Sequence, residues 1–135
     1  MKYKIEECPN QNILCFHVTE KISSNFMISI DSMETFEMFK DEIRKDEREF
    51  LKHLSGALLA IHGVTEITFD KYEISVEKGE VFDWENIEPD VIHVIKSIVA
   101  KGAEIQELPR IFCTSEDREN VKEQIRNSHK DYRDD

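Results

Sequence analysis

Lys2-Tyr3-Lys4-Ile5-Glu6-Glu7-Cys8-Pro9-Asn10-Gln11-Asn12-Ile13-Leu14-Cys15-Phe16-His17-Val18 alternates polar and apolar side chains on both sides of a break at Pro9 to Asn12. Tyr3 and Ile5 share one face and Lys2, Lys4 and Glu6 the other, which is the period of a half-buried strand. Beyond the break, Leu14, Phe16 and Val18 share a face, while Ile13, Cys15 and His17 share its opposite. Pro9-Asn10-Gln11-Asn12 supplies turn chemistry, so the stretch reads as an antiparallel hairpin. With that loop, Cys8 stands opposite Ile13, Glu6 opposite Cys15 and Lys4 opposite His17. Cys8 and Cys15 then become diagonal neighbours on one face, about 7 to 8 Å apart.

A second hairpin follows from Ile67 and Phe69, then Tyr72, Ile74 and Val76, across a tight turn at Asp70-Lys71. Between the hairpins, Phe26, Ile28 and Ile30 suggest a short strand. Asp31 or Ser32 is placed to cap a helix through Met33, Phe36, Phe39 and Ile43. A longer helix from about Glu47 carries Phe50, Leu51, Leu54, Leu58 and Ile61, mostly at spacings of three and four, and Gly63 stops it. Asp83 is placed to cap a further helix with the stripe Trp84, Ile87, Val91, Ile95 and Ile98, ended by Gly102. Pro89 inside that stretch would cost about 3 kcal/mol and a kink in a helix interior. Asn86-Ile87-Glu88 is therefore expected to be a separate turn, with the regular helix starting near Pro89. These elements predict an α+β fold: a two-layer sandwich whose sheet of about four strands, built from two hairpins, carries helices on one face. Residues 1–102 form the domain, and residues 103–135 a charged, partly helical C-terminal extension. The sheet's other face is expected to be open to solvent.

The 135-residue chain is long enough for a core without metal or disulfide staples. Its net charge of −11 makes phosphate backbones and anionic membrane surfaces poor partners and basic protein surfaces good ones. Three cysteines, Cys8, Cys15 and Cys113, form no even framework and suit a reducing compartment. No signal-like or membrane-spanning apolar run is present, so a cytoplasmic location is expected.

Three segments carry a resemblance. Cys8-Pro9-Asn10-Gln11-Asn12-Ile13-Leu14-Cys15-Phe16, then Leu59-Ala60-Ile61-His62-Gly63-Val64, then Asp83-Trp84-Glu85-Asn86-Ile87-Glu88-Pro89 together resemble the N-terminal domain of Nfu/NifU-type iron-sulfur scaffold proteins over roughly residues 2–100. Pro9, Asn10, Asn12, Gly63, Val64, Asp83 and Trp84 are the shared positions. The chain departs from the pattern at Cys8, where the family usually has threonine, at Cys15, where it has lysine, and at His62, where it has proline. The resemblance therefore implies no ligand role for either thiol, and the histidine is expected to loosen its turn. The family's cluster-binding part is a separate C-terminal domain with a Cys-x-x-Cys pair, a motif this chain lacks. The resemblance implies a non-catalytic accessory or interaction module in iron-sulfur cluster assembly or delivery, with biogenesis proteins or recipient apoproteins as partners.

Cys8, Cys15 and His17 are the soft-ligand group closest together in sequence, and zinc or an iron-sulfur cluster uses such ligands. The plainer reading is ordinary surface or interface thiols, so no cofactor is expected. The alternative is a metal- or redox-responsive protein using these three residues directly. Cys113 reads as a small hydrophobe or a solvent-facing thiol. Much of the negative charge lies between Val64 and Asp90, where only Lys71 and Lys78 oppose it. Glu66, Glu73 and Glu77 project outward if the hairpin alternation holds, and are the candidate contacts for a basic partner. A solvated face that blunts a strand edge is the competing reading. With glycines only at Gly56, Gly63, Gly79 and Gly102 there is no phosphate loop. Nor is there a Gly-x-Ser-x-Gly elbow or a His-Glu-x-x-His helix, so no enzymatic activity is expected.

Overall fold

The structure, a computed structural model, describes residues 1–24 and 27–112. Phe26, Cys113 and the rest of the extension lie outside them. The N-terminal hairpin forms with the expected register: β1 (Lys2–Glu7) pairs with β2 (Ile13–Val18), Glu6 opposite Cys15 and Lys4 opposite His17. Its loop is closed by Asn10, whose side-chain oxygen accepts from the Asn12 amide at 2.9 Å and whose carbonyl accepts from Ile13 at 3.1 Å.

β3 (Ile28–Ile30) leads into α1 (Met33–Phe39), where Ser32 is the cap and its hydroxyl accepts from the Thr35 amide. The helix is shorter than expected, because the chain tightens into a 3₁₀ turn at Lys40–Glu42 before burying Ile43. α2 (Arg48–Leu59) buries Leu51, Leu54, Ser55 and Leu58, one stripe at helical spacing. Gly63 stands past its end, at φ +98°, in the turn entering β4 (Val64–Asp70). β4 and β5 (Glu73–Lys78) form the second hairpin, with a bulge between Val64 and Glu66.

α3 spans Trp84–Val94, and two expectations fail there. Asp83 occupies the capping position, but its side chain accepts no capping hydrogen bond. The helix also runs through Pro89 instead of starting at it, with Ile87 and Val91 on the same buried stripe. Burial of that stripe on both sides of the proline outweighs one missing helical hydrogen bond. The helix then widens into a π turn at Ile95–Val99, where the Ala100 amide bonds to the Ile95 carbonyl.

The described part of the extension contributes two short strands, and the rest of the expected partly helical extension lies outside the described residues. β6 (Gln106–Glu107) and β7 (Ile111–Phe112) both pair in parallel with β1. Arg110 fastens this segment, reaching Glu88 at 2.5 Å and Glu7 at 3.5 Å. The sheet has seven strands among the described residues, in the order β3-β4-β5-β2-β1-β6 with β7 also on β1, instead of about four. The α+β two-layer architecture stands. Tyr3, Ile5, Leu14, Phe16, Val18, Ile67, Phe69, Ile74 and Val76 form the sheet's side of one core, and Phe36, Leu51, Leu54, Leu58, Ile87, Val91 and Ile95 the helical side. No described helix is long and apolar enough to cross a membrane.

Candidate functional site

The three segments singled out in the sequence meet at one end of the sheet. Lys78, the last residue of β5, donates its amide to the Asn12 carbonyl at 2.8 Å, and its ammonium reaches Asn12 Oδ1 at 3.0 Å. The Trp84 indole N–H donates to the Gln11 carbonyl at 2.8 Å, with the Lys78 ammonium 5.9 Å from its ring centre. The Gly79 amide bonds to the Gly63 carbonyl at 2.9 Å. Phe82 fills the space between these two glycines, and His62 meets it edge-on at 4.9 Å between ring centres. His62, which stands in the turn before Gly63, thus packs its ring against Phe82. Pro9 and Asn10 are exposed at the rim, and Val64 starts β4 beneath it. Gln11, Asn12, Lys78, Glu80, Phe82, Asp83 and Trp84 line a shallow depression of about 360 Å³.

Beside it, Val81 stands 88% exposed between the exposed carboxylate Glu80 and half-buried Phe82, with exposed Asp83 next. Lys78 and Phe82 were missed as organising residues. Lys78 looked like a minor counter-charge in an acidic stretch, and Phe82 lies in no regular element.

The outward carboxylates divide. Glu66 and Glu77 are half-exposed and stand directly opposite each other across β4 and β5. Glu73 is not a surface residue: it is buried, and its carboxylate lies 3.8 Å from His17 Nε2, because His17 is its partner across β2 and β5. The same sheet face buries Lys4, Glu6, Cys15 and His17. The expectation of an open, solvated face fails at these central positions.

Of the soft-ligand group, the structure brings two members together and diverts the third. Cys8 Sγ and Cys15 Sγ are 3.5 Å apart, and Cys15 Sγ is 3.3 Å from the Ser75 hydroxyl. His17 Nε2 instead meets Glu6 Oε1 at 2.7 Å. Glu6, His17 and Glu73 present ligand-type atoms within 4.8 Å of one another and constitute a potential metal-binding triad. An iron-sulfur cluster is ordinarily held by four thiolates. With three cysteines in the chain and His17 turned to carboxylates, these residues do not fit one.

Comparison with curated proteins found no match. Among solved structures, the chain is similar to a Staphylococcus aureus protein, at 23% identity and a TM-score of 0.51, covering 70% of this chain and 99% of the other. It is also similar to a NifU-like protein from Saccharomyces cerevisiae, at 19% identity and a TM-score of 0.50, covering 72% and 76% respectively. At such identities the likeness speaks to the fold alone. The sequence model of the family described as scaffold protein Nfu/NifU, N-terminal, matches residues 3–102, which carry every segment meeting at the end of the sheet, and the chain belongs to that family.

Proposed function

We propose that this domain is a non-catalytic docking module in iron-sulfur cluster assembly or delivery, acting in the cytoplasm on basic surfaces of assembly partners or recipient apoproteins. Membership in a scaffold family supports the process. One observation carries the docking role. Glu66 and Glu77 are held as a direct cross-strand pair, and like charges so placed destabilise a sheet. A basic partner side chain set between them relieves that repulsion. The adjoining rim adds Glu80 and Asp83 around the exposed Val81, so the surface suits an apolar side chain flanked by lysine or arginine.

Affinity capture from the native cell extract, with the domain as bait, tests this. Iron-sulfur assembly factors or cluster-carrying enzymes should be enriched at low salt and depleted at moderate salt. A Glu66→Lys, Glu77→Lys bait should lose them while keeping the circular dichroism spectrum of the parent. If the same proteins come through with both baits, the acidic pair is not the docking site. If no protein of that class is enriched, the role in biogenesis fails.

The thiol pair favours a second reading, in which Cys8 and Cys15 respond directly to metal or oxidant. Anaerobic reconstitution with iron and sulfide separates the two. A colourless product supports docking, and a coloured one that needs Cys8 and Cys15 supports the thiols.

A further inference from the structure

Three polar side chains from three adjacent strands are shut inside the protein. Glu6 comes from β1, His17 from β2 and Glu73 from β5, and they are 0%, 1% and 4% exposed. Pairing register places them: His17 faces Glu73 across β2 and β5, while its partner across β1 and β2 is Lys4, with Glu6 one step along the same face. His17 Nε2 lies 2.7 Å from Glu6 Oε1 and 3.8 Å from Glu73 Oε1.

We propose that Glu6, His17 and Glu73 form a binding site for one divalent transition-metal ion. Zinc sits about 2.0 to 2.2 Å from nitrogen and oxygen ligands, so in a tetrahedral site its ligand atoms are about 3.4 Å apart. The two distances at His17 Nε2 bracket that spacing, and with all three ligand atoms within 4.8 Å of one another, adjustments of up to about 1.4 Å bring them onto one sphere. One imidazole with two carboxylates selects zinc, iron(II), cobalt(II) or manganese(II). Calcium and magnesium take all-oxygen sets, and copper(I) takes sulfur.

Charge favours an ion as well. Two carboxylates removed from water are costly unless a cation meets them. A divalent ion between His17 Nε2 and the two carboxylates faces both acids at once. Lys4, buried on the same face and paired across strands with His17, is the protein's own cation there. Cys15 is the cross-strand neighbour of Glu6, but its sulfur is turned to Cys8 and Ser75, which leaves the ion's shell to nitrogen and oxygen. The site thus shares only His17 with the Cys8, Cys15 and His17 group and stands independently of the docking role.

Cobalt(II) is the probe, because its spectrum reports its ligands. Metal-free protein is refolded with cobalt(II), since the three side chains are closed to solvent, and unbound ion is then removed. One ion per chain is expected, with d–d bands and no thiolate-to-cobalt charge transfer. Glu73→Gln, and separately Glu6→Gln, should each weaken binding about tenfold or more, the low end of what losing even a supporting group costs a metal site. The Cys8→Ser, Cys15→Ser double variant should bind like the parent. In the parent, zinc should shift the His17 ring-nitrogen resonances, a readout that does not depend on any variant folding. Absence of bound ion, no zinc-induced shift at His17, or a charge-transfer band that disappears in the cysteine double variant would each overturn the assignment.

Discussion

Gly63→Ala should be among the most damaging single-methyl additions in this chain, and its cost can be worked from two observations. The backbone at Gly63 has φ +98°, a region side-chain-bearing residues rarely adopt, which costs about 1–2 kcal/mol. The added Cβ would also sit 2.8 Å from Phe82 Cγ and 3.0 Å from Ile87 Cδ1. Ile87 is fixed in the core, and relief would need the half-buried Phe82 ring to shift away from its contacts with Gly79 and His62. Overpacking of this kind costs about 1–3 kcal/mol. Alanine recovers about 0.4–1 kcal/mol by stiffening the unfolded chain. The net loss is about 1–4.5 kcal/mol. With a urea m-value of about 1.5 kcal/mol/M, the midpoint falls by about 0.7–3 M. Gly102→Ala is the control, because Gly102 also has positive φ, at +83°, but nothing lies within 4 Å of its added Cβ. Its loss should be confined to the backbone contribution. The difference between the variants isolates the contact with Phe82, and a Phe82→Leu background should shrink that difference by making room. Equal losses for Gly63→Ala and Gly102→Ala would refute the claim that the end of the sheet is tightly packed.

Lys78→Met keeps the apolar stem but removes the ammonium that holds Asn12, so it should cost about 1.5–3 kcal/mol in urea unfolding and shift Trp84 fluorescence. An unchanged emission spectrum would mean that lysine and indole are not coupled. Burial, reinforced by the charges of Glu107 and Glu88, raises the Tyr3 phenol above its ordinary value of 10.0. A raised folded value means that the stabilisation is complete below pH about 10 and is lost as pH climbs through the folded value. Alkaline unfolding followed by tyrosinate absorbance should therefore begin later in Tyr3→Phe than in the parent; coincident curves would remove Tyr3 as the cause. Native-state alkylation mapped by peptide mass spectrometry should label half-buried Cys8 well before Cys15, which is 3% exposed, and the reverse order would contradict the placement of the hairpin.

The elements visible in the sequence are those whose periodicity is long enough to carry a signal. The N-terminal hairpin gave its register correctly because its loop and alternation agree, and the stripe of α2 is unambiguous at Leu51, Leu54 and Leu58. β6 and β7 are two residues each and have no period to detect, so the sequence offered only a charged, partly helical extension there. Pro89 misled through a sound local rule. Its cost is real, but the rule sees one hydrogen bond, whereas the fold sees Ile87 and Val91 buried on either side of it.

The buried triad shows where strand alternation itself stops being informative. Alternation tells which of two faces a residue occupies; it does not tell whether that face meets water. In an edge hairpin with helices on one side, the polar face is ordinarily wet, and Glu73 was assigned to solvent on that logic. Here β2 and β1 lie between other strands, and Glu6, His17 and Glu73 occupy the middle of a polar face that is itself closed. A carboxylate there cannot be a docking residue, however acidic its neighbourhood, because a partner cannot reach it from solvent. The half-exposed pair Glu66 and Glu77 lies further along the same hairpin, toward the end where β5 turns into Lys78 and Gly79. One acidic hairpin thus performs two separate electrostatic tasks, pairing inside the sheet at Glu73 and projecting charge outward near its tip-distal end, and composition averages the two into a single patch.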